Sequence, residues 1–178
     1  MTPTDILTFW FDELTPKQHF VSDEAVDEMI ISRFSAVHGQ AANSELAHWR
    51  ETPEGRLAEI IILDQFSRNM FRGNARSWLQ DPLALELARA AVANGDDMRI
   101  DQSRRSFMYM PFMHSESAQA HEEAIVLFES LGKEDTLKYE LLHKDVIDTY
   151  GRYPYRNEIL GRVSTPAELE YLKTNKGF

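Results

Sequence analysis

The chain has 178 residues, 43% of them hydrophobic, with eight Gly, seven Pro, no Cys and a formal net charge of −10. Such a length fits a single domain, here 1–178, able to bury roughly 70% of the surface its unfolded form exposes. The lack of cysteine excludes disulfides, thiolate catalysis and cysteine metal sites, and the acidic balance argues against nucleic acid or an anionic membrane as a partner.

The N-terminal run MTPTDILTFWFDEL has no basic region and carries Asp5, Asp12 and Glu13 among its apolar residues, so it does not read as a signal peptide. No apolar run approaches the about 20 residues of a membrane span. A cytoplasmic location is expected. Apolar spacing is helical almost throughout, and no alternating strand pattern stands out. The first helix is expected over 4–11, with Ile6, Leu7, Phe9, Trp10 and Phe11 as its apolar bulk. Ser22 is the expected N-cap of the second helix, with Asp23 and Glu24 in its first turn and Gly39 at its end. A short helix over 44–50 carries Leu46 and Trp49.

Thr52 followed by Pro53 signals the next start, with Pro where a missing N–H costs nothing. The helix it opens contains LAEIIILDQFSRNMFR, Leu57 to Arg72. Ile60, Ile61, Ile62 and Leu63 surround it with apolar side chains, which calls for burial. Asp64, Gln65, Arg68, Asn69 and Arg72 follow without a break, and an unpaired buried charge is so costly that they must be partnered or used. Asp81-Pro82 repeats the start signal, and Asn94-Gly95 closes that helix. A run over 103–110 then meets Pro111, which removes an N–H and clashes with the carbonyl of Phe107. It is expected to kink or break there and to resume from His114 to Leu131. A helix over 135–150 stops at Gly151, 152–162 is irregular, and the last helix starts at Thr165-Pro166 with Glu168 placed for a capping box and ends near Asn175. Seven or eight helices result, all-α, packed as antiparallel pairs through short loops. No register reproduces a tetratricopeptide repeat, so the residues themselves leave a bundle and a solenoid open.

Nine of the 13 arginines fall in three stretches, Arg68 to Arg76, Arg99 to Arg105 and Arg152 to Arg162. Arginine holds carboxylates and phosphates with a planar two-pronged fork. Asp64, Arg68 and Arg72 share one helical face at four-residue steps. They read either as a structural ion-pair series or as an anion site in which the arginines hold the ligand and Asp64 orients them. In the second stretch, Arg105 precedes the Pro111 break, which would open a helix N-terminus beside His114 and Ser115; Glu116 is the acid that can occupy that place instead. His114 and Glu116 lack the cysteines of a zinc deaminase, and His121-Glu122 lacks the second His of a zinc protease motif because Ile125 stands there. Neither a metal nor a cofactor is expected. The third stretch, YGRYPYRNEILGR, sets Arg152, Arg156 and Asn157 among tyrosines, as a recognition surface or an ordered loop. His143 reads equally as a capped structural imidazole or as an acid or base.

FWF at Phe9 to Phe11, LDQFSRNMFRG at Leu63 to Gly73, MPFMHSE at Met110 to Glu116, and RN and LGR within 156–162 resemble, together, a bacterial domain-of-unknown-function family, number nine-two-four. The resemblance covers nearly the whole chain and implies a tetratricopeptide-like fold; it implies no reaction. Two positions depart from the family pattern. Tyr155 stands where His is typical in R-F-P-H-R-N, and His19 where Trp is common, so a family mechanism resting on that His would be missing here.

The leading reading is a tetratricopeptide-like helical binding domain. Its polar cluster of Asp64, Gln65, Arg68, Asn69, Arg72, Arg105, His114, Glu116, Arg152, Arg156 and Asn157 takes an anionic small molecule or an acidic peptide. The alternatives are a hydrolase or isomerase using His114 with Glu116 or Asp64 as acid and base, and a buried network that only specifies the fold.

Overall fold

A computed structural model describes residues 1–177. Among them every regular element is helical. α1 (Pro3–Thr8) is capped by Thr2, whose side chain accepts the Asp5 N–H, and runs into a π-helical turn, Phe9–Glu13. α2 (Glu24–Ala42) is capped by Asp23 rather than Ser22, since the Asp23 carboxylate accepts the N–H groups of Ala25 and Val26. It also runs past Gly39, which it absorbs because Val37, His38 and Ala41 remain buried on the same face. The expected helix over 44–50 is a 3₁₀ turn, Ala47–Glu51.

α3 (Pro53–Ile61) begins at the Thr52 cap. A second π turn, Ile62–Phe66, carries it into α4 (Ser67–Met70). Ile60, Ile61, Ile62 and Leu63 have no solvent exposure at all. α1, α5 (Asp81–Ala93) and α6 (Gln102–Met113) pack against α3, and α2 packs against α4 and the π turn. One apolar core, from Ile6 to Leu131, results.

α6 contains Pro111 and does not break there: Ser106 to Met113 are all buried, and that packing outweighs the hydrogen bond that proline cannot make. The helix ends only at His114, its C-cap. α7 (Ala118–Leu131) starts later than expected, capped by Ser117, so His114 sits at a helix C-terminus and not at an N-terminus. α7 lies between α6 and α8 (Glu134–Tyr150). Gly132 and Gly151 end α7 and α8 in the left-handed conformation that a side chain disfavours. A 3₁₀ turn, Pro154–Arg156, and α9 (Pro166–Leu172), with its Thr165–Glu168 capping box, close the chain around a second apolar cluster of Val146, Ile147 and Tyr153. α9 stops short of Asn175. With α3, its π turn and α4 taken as one rod, eight α-helices stand among the described residues. None is long and apolar enough to cross a membrane.

Candidate functional site

The π turn places Asp64 inward with no solvent exposure. Its Oδ1 accepts from His114 Nδ1 at 2.7 Å and forms an ion pair with Arg68 Nη1 at 3.0 Å, and its Oδ2 accepts from Gln65 Nε2 at 2.6 Å. Arg68 forks onto Asp81 at 2.8 and 3.0 Å and donates to the Asp64 carbonyl at 2.8 Å. Asp81 also accepts from Arg156 Nη1 at 3.3 Å, while Arg156 Nη2 donates to the His114 carbonyl at 3.0 Å. The Arg156 guanidinium lies over the rings of Tyr153 and Trp78, 4.6 and 5.2 Å from their centroids. Arg68 and Arg156, from the first and third arginine-bearing stretches, therefore meet on Asp81 beside His114, whereas Arg99 pairs with Asp96 and Arg104 with Asp12.

The charges shape the titration of each member. Burial pushes the Asp64 carboxyl up, but the Arg68 and His114 charges and the hydrogen bonds more than reverse this and hold it at about 2. Burial works against the Arg68 cation too, and Asp64 and Asp81 together still raise its pKa. Burial and Arg68 push the His114 imidazole below its usual range although Asp64 opposes them, so the ring is neutral at pH 7. With Nδ1–H given to Asp64, a neutral ring keeps its lone pair on Nε2. That nitrogen has no hydrogen-bond partner among the described residues, and the side chain is 17% exposed.

The family model described as a bacterial protein of unknown function, DUF924, matches residues 6–176. The chain belongs to the DUF924 family. The solved structure of a protein of unknown function from Agrobacterium tumefaciens is similar to it, with a TM-score of 0.93 and 38% identity over 97% of each chain. No curated protein matches.

In this DUF924 chain the other expected site residues are engaged elsewhere. Asn69 and Arg72 both bind Asp27 on α2, at 2.7 to 2.8 Å, so Arg72 turns away from Asp64. Glu116 accepts from the Tyr153 N–H at 2.8 Å and from Arg162 at 2.6 and 2.9 Å; Asp64, not Glu116, is the partner of His114. Arg152 forks onto Glu168 at 2.6 and 2.8 Å. Asn157 joins Ser164 to Arg162 at 2.9 Å each. Arg105 lies near Tyr109, whose phenol donates to Asp97 at 2.6 Å, and has a buried Nε without a partner. The Tyr155 ring adjoins Tyr153 at 5.6 Å and Arg156 at 5.7 Å. His19 stacks on Trp10 with ring centroids 4.7 Å apart. The central residue that sequence reasoning missed is Asp81. Its Asp-Pro context read as a helix start, yet Gln80 is the cap and the Asp81 side chain is left for Arg68 and Arg156.

A second histidine–carboxylate pair lies deeper. His121 Nδ1 meets Glu140 at 2.6 Å, with neither residue exposed, and His121 Nε2 lies 3.0 Å from the Ser115 carbonyl and 3.2 Å from the Tyr153 hydroxyl. Glu140 Oε2 has no partner, and burial raises the carboxyl above its ordinary value despite His121. His143 donates Nδ1–H to the Tyr139 carbonyl at 2.7 Å and is pushed down to about 3, by burial first.

Proposed function

We propose that the chain is a tetratricopeptide-like binding domain of the cytoplasm, folded as one unit, whose ligand carries an anionic group beside a hydrogen-bond donor. The side-by-side packing of α6, α7 and α8 supports the repeat-like arrangement. The observation that carries the binding reading is His114: a buried carboxylate fixes Nδ1, and Nε2 is left without a partner on a side chain that reaches solvent. Such a nitrogen accepts a hydrogen bond from the ligand. Arg68 contacts the same Asp64 oxygen and has more N–H groups than Asp64 and Asp81 take up, so an anionic oxygen has donors beside the imidazole. A small hydroxy acid or phosphate meets this requirement, and so does the end of an acidic peptide, through its carboxylate and last N–H. Gln65 and Arg156 act as positioning residues. The test is a thermal-shift and imidazole NMR titration with inorganic phosphate, citrate, a nucleoside monophosphate and an acidic peptide. A saturable shift of the His114 ring resonances is expected, with a rise in Tm that is smaller in His114→Ala. No shift of the His114 ring with any of them, with His114→Ala and Arg68→Ala losing only stability, overturns the reading.

The contact with Asp64 also favours a second reading. An imidazole oriented by a carboxylate, with a guanidinium nearby to stabilise the anion formed, is the arrangement of a general base in a hydrolase or isomerase. Turnover of a bound ligand, lost in His114→Gln while binding persists, separates this from binding alone.

A further inference from the structure

A second cluster lies where α2 meets the turn that follows α4. There a cavity of about 150 Å³ is lined by His38, Asn43, Phe71, Arg76, Leu79 and Gln80, among others. His38 is buried, and its Nε2 lies 2.8 Å from Ser67 Oγ. Ser67 gives its own hydroxyl proton to the Leu63 carbonyl at 2.6 Å, so it can only accept from His38. Nε2 therefore carries the proton, and the neutral ring has its lone pair on Nδ1, which has no partner among the described residues. Burial, and then the Arg76 charge, push this imidazole below its usual range, which keeps it neutral and places Arg76 within electrostatic reach.

Arg76 is the complement. Its guanidinium lies over Phe71, 3.8 Å from the ring centroid, and makes no ion pair among the described residues, unlike the arginines of the central network. Arg76 is the arginine that lines the cavity, where the neighbouring Asn43 amide donates to Glu45 at 3.2 Å. An acceptor nitrogen beside an uncompensated guanidinium suits a ligand that combines a negative oxygen with a hydroxyl. A cavity of roughly 150 Å³ accommodates a benzene-sized molecule, which limits the ligand to about six heavy atoms.

We propose that this cavity binds a compact oxyanion bearing a hydroxyl, of the hydrogenphosphate or small hydroxycarboxylate type, with the anionic oxygens on Arg76 and the hydroxyl donating to His38 Nδ1. The site is separate from His114, and its test does not depend on the reading given above. The full chain is titrated with inorganic phosphate, glycolate and acetate while the His38 ring resonances are followed by NMR. A saturable shift is expected with phosphate or glycolate, and whichever of the two binds tighter identifies the class. Acetate, without the hydroxyl, binds at least about tenfold more weakly, and Arg76→Gln abolishes the response. His114→Ala leaves it intact. No saturable shift with phosphate or glycolate, an equal response to acetate, or an unchanged response in Arg76→Gln overturns the proposal; Arg76 is exposed and without an ion pair, so that variant keeps the fold.

Discussion

Asp64–His114 and Glu140–His121 are built from the same two groups at nearly the same distance, 2.7 and 2.6 Å, and behave differently because of what surrounds the carboxylate. Asp64 has Arg68 as a second partner and is held ionised far into acid, which leaves its histidine fixed at the rim with one nitrogen open. Glu140 has no arginine, one of its oxygens is unpartnered, and burial raises its pKa. Its histidine has contacts on both nitrogens, to α8 on one side and to Ser115 and Tyr153 on the other. One guanidinium thus separates a charged, half-open pair from a sealed anchor between helices.

Removing that guanidinium is the sharpest way to break the contrast. Arg68→Met leaves Asp64 with His114 and Gln65 alone, and Asp81 with Arg156 alone. A loss of about 3–5 kcal/mol in urea denaturation at neutral pH is expected, as for other buried pairs deprived of one partner. His121→Ala comes next, because it strands both Glu140 oxygens in the core; about 2 kcal/mol is expected. It should exceed the loss for His114→Ala, whose carboxylate keeps Arg68 and Gln65. An order reversed in the same denaturation series would show that the rim pair, not the sealed one, anchors the helices.

The last step is set by pH and is the smallest per pH unit. The His143 folded-state pKa, about 3, lies below its ordinary 6.5, so the unfolded chain binds the proton more readily between those values. The stability that this neutral ring contributes is complete above about 6.5 and falls by about 1.4 kcal/mol per pH unit on acidification. The Asp64 contribution is lost only lower, as pH falls from its ordinary 3.8 towards about 2. His143→Gln should flatten the stability profile above pH 4 and leave the acid limb in place; an unchanged slope in that variant assigns the upper limb to other groups.

The parts of this picture legible from residues are those governed by near neighbours. Thr52-Pro53 and the Thr165–Glu168 box announce helix starts because cap and partner lie within one turn. Asp64 with Arg68 was readable for the same reason. Pro111 misled because the rule for a proline is local, whereas the buried face from Ser106 to Met113 is held by the rest of the core. Asp81 was hidden because its partners lie 13 and 75 positions away, and nothing within a turn of it distinguishes a capping aspartate from one aimed at a distant arginine. The turn of Arg72 towards Asp27 was hidden likewise, across 45 positions.

By itself the sequence determined an all-helical chain, a central helix whose isoleucines demand burial, and an ion pair between Asp64 and Arg68, since each follows from spacing within a few residues. The tertiary structure decided which distant carboxylate answers which guanidinium, and so left His114 Nε2 without a hydrogen-bond partner and Arg76 without an ion pair among the described residues. Charge pairing acts over a few ångströms, and only the folded chain brings α3, α5, α6 and the Pro154–Arg156 turn within that range.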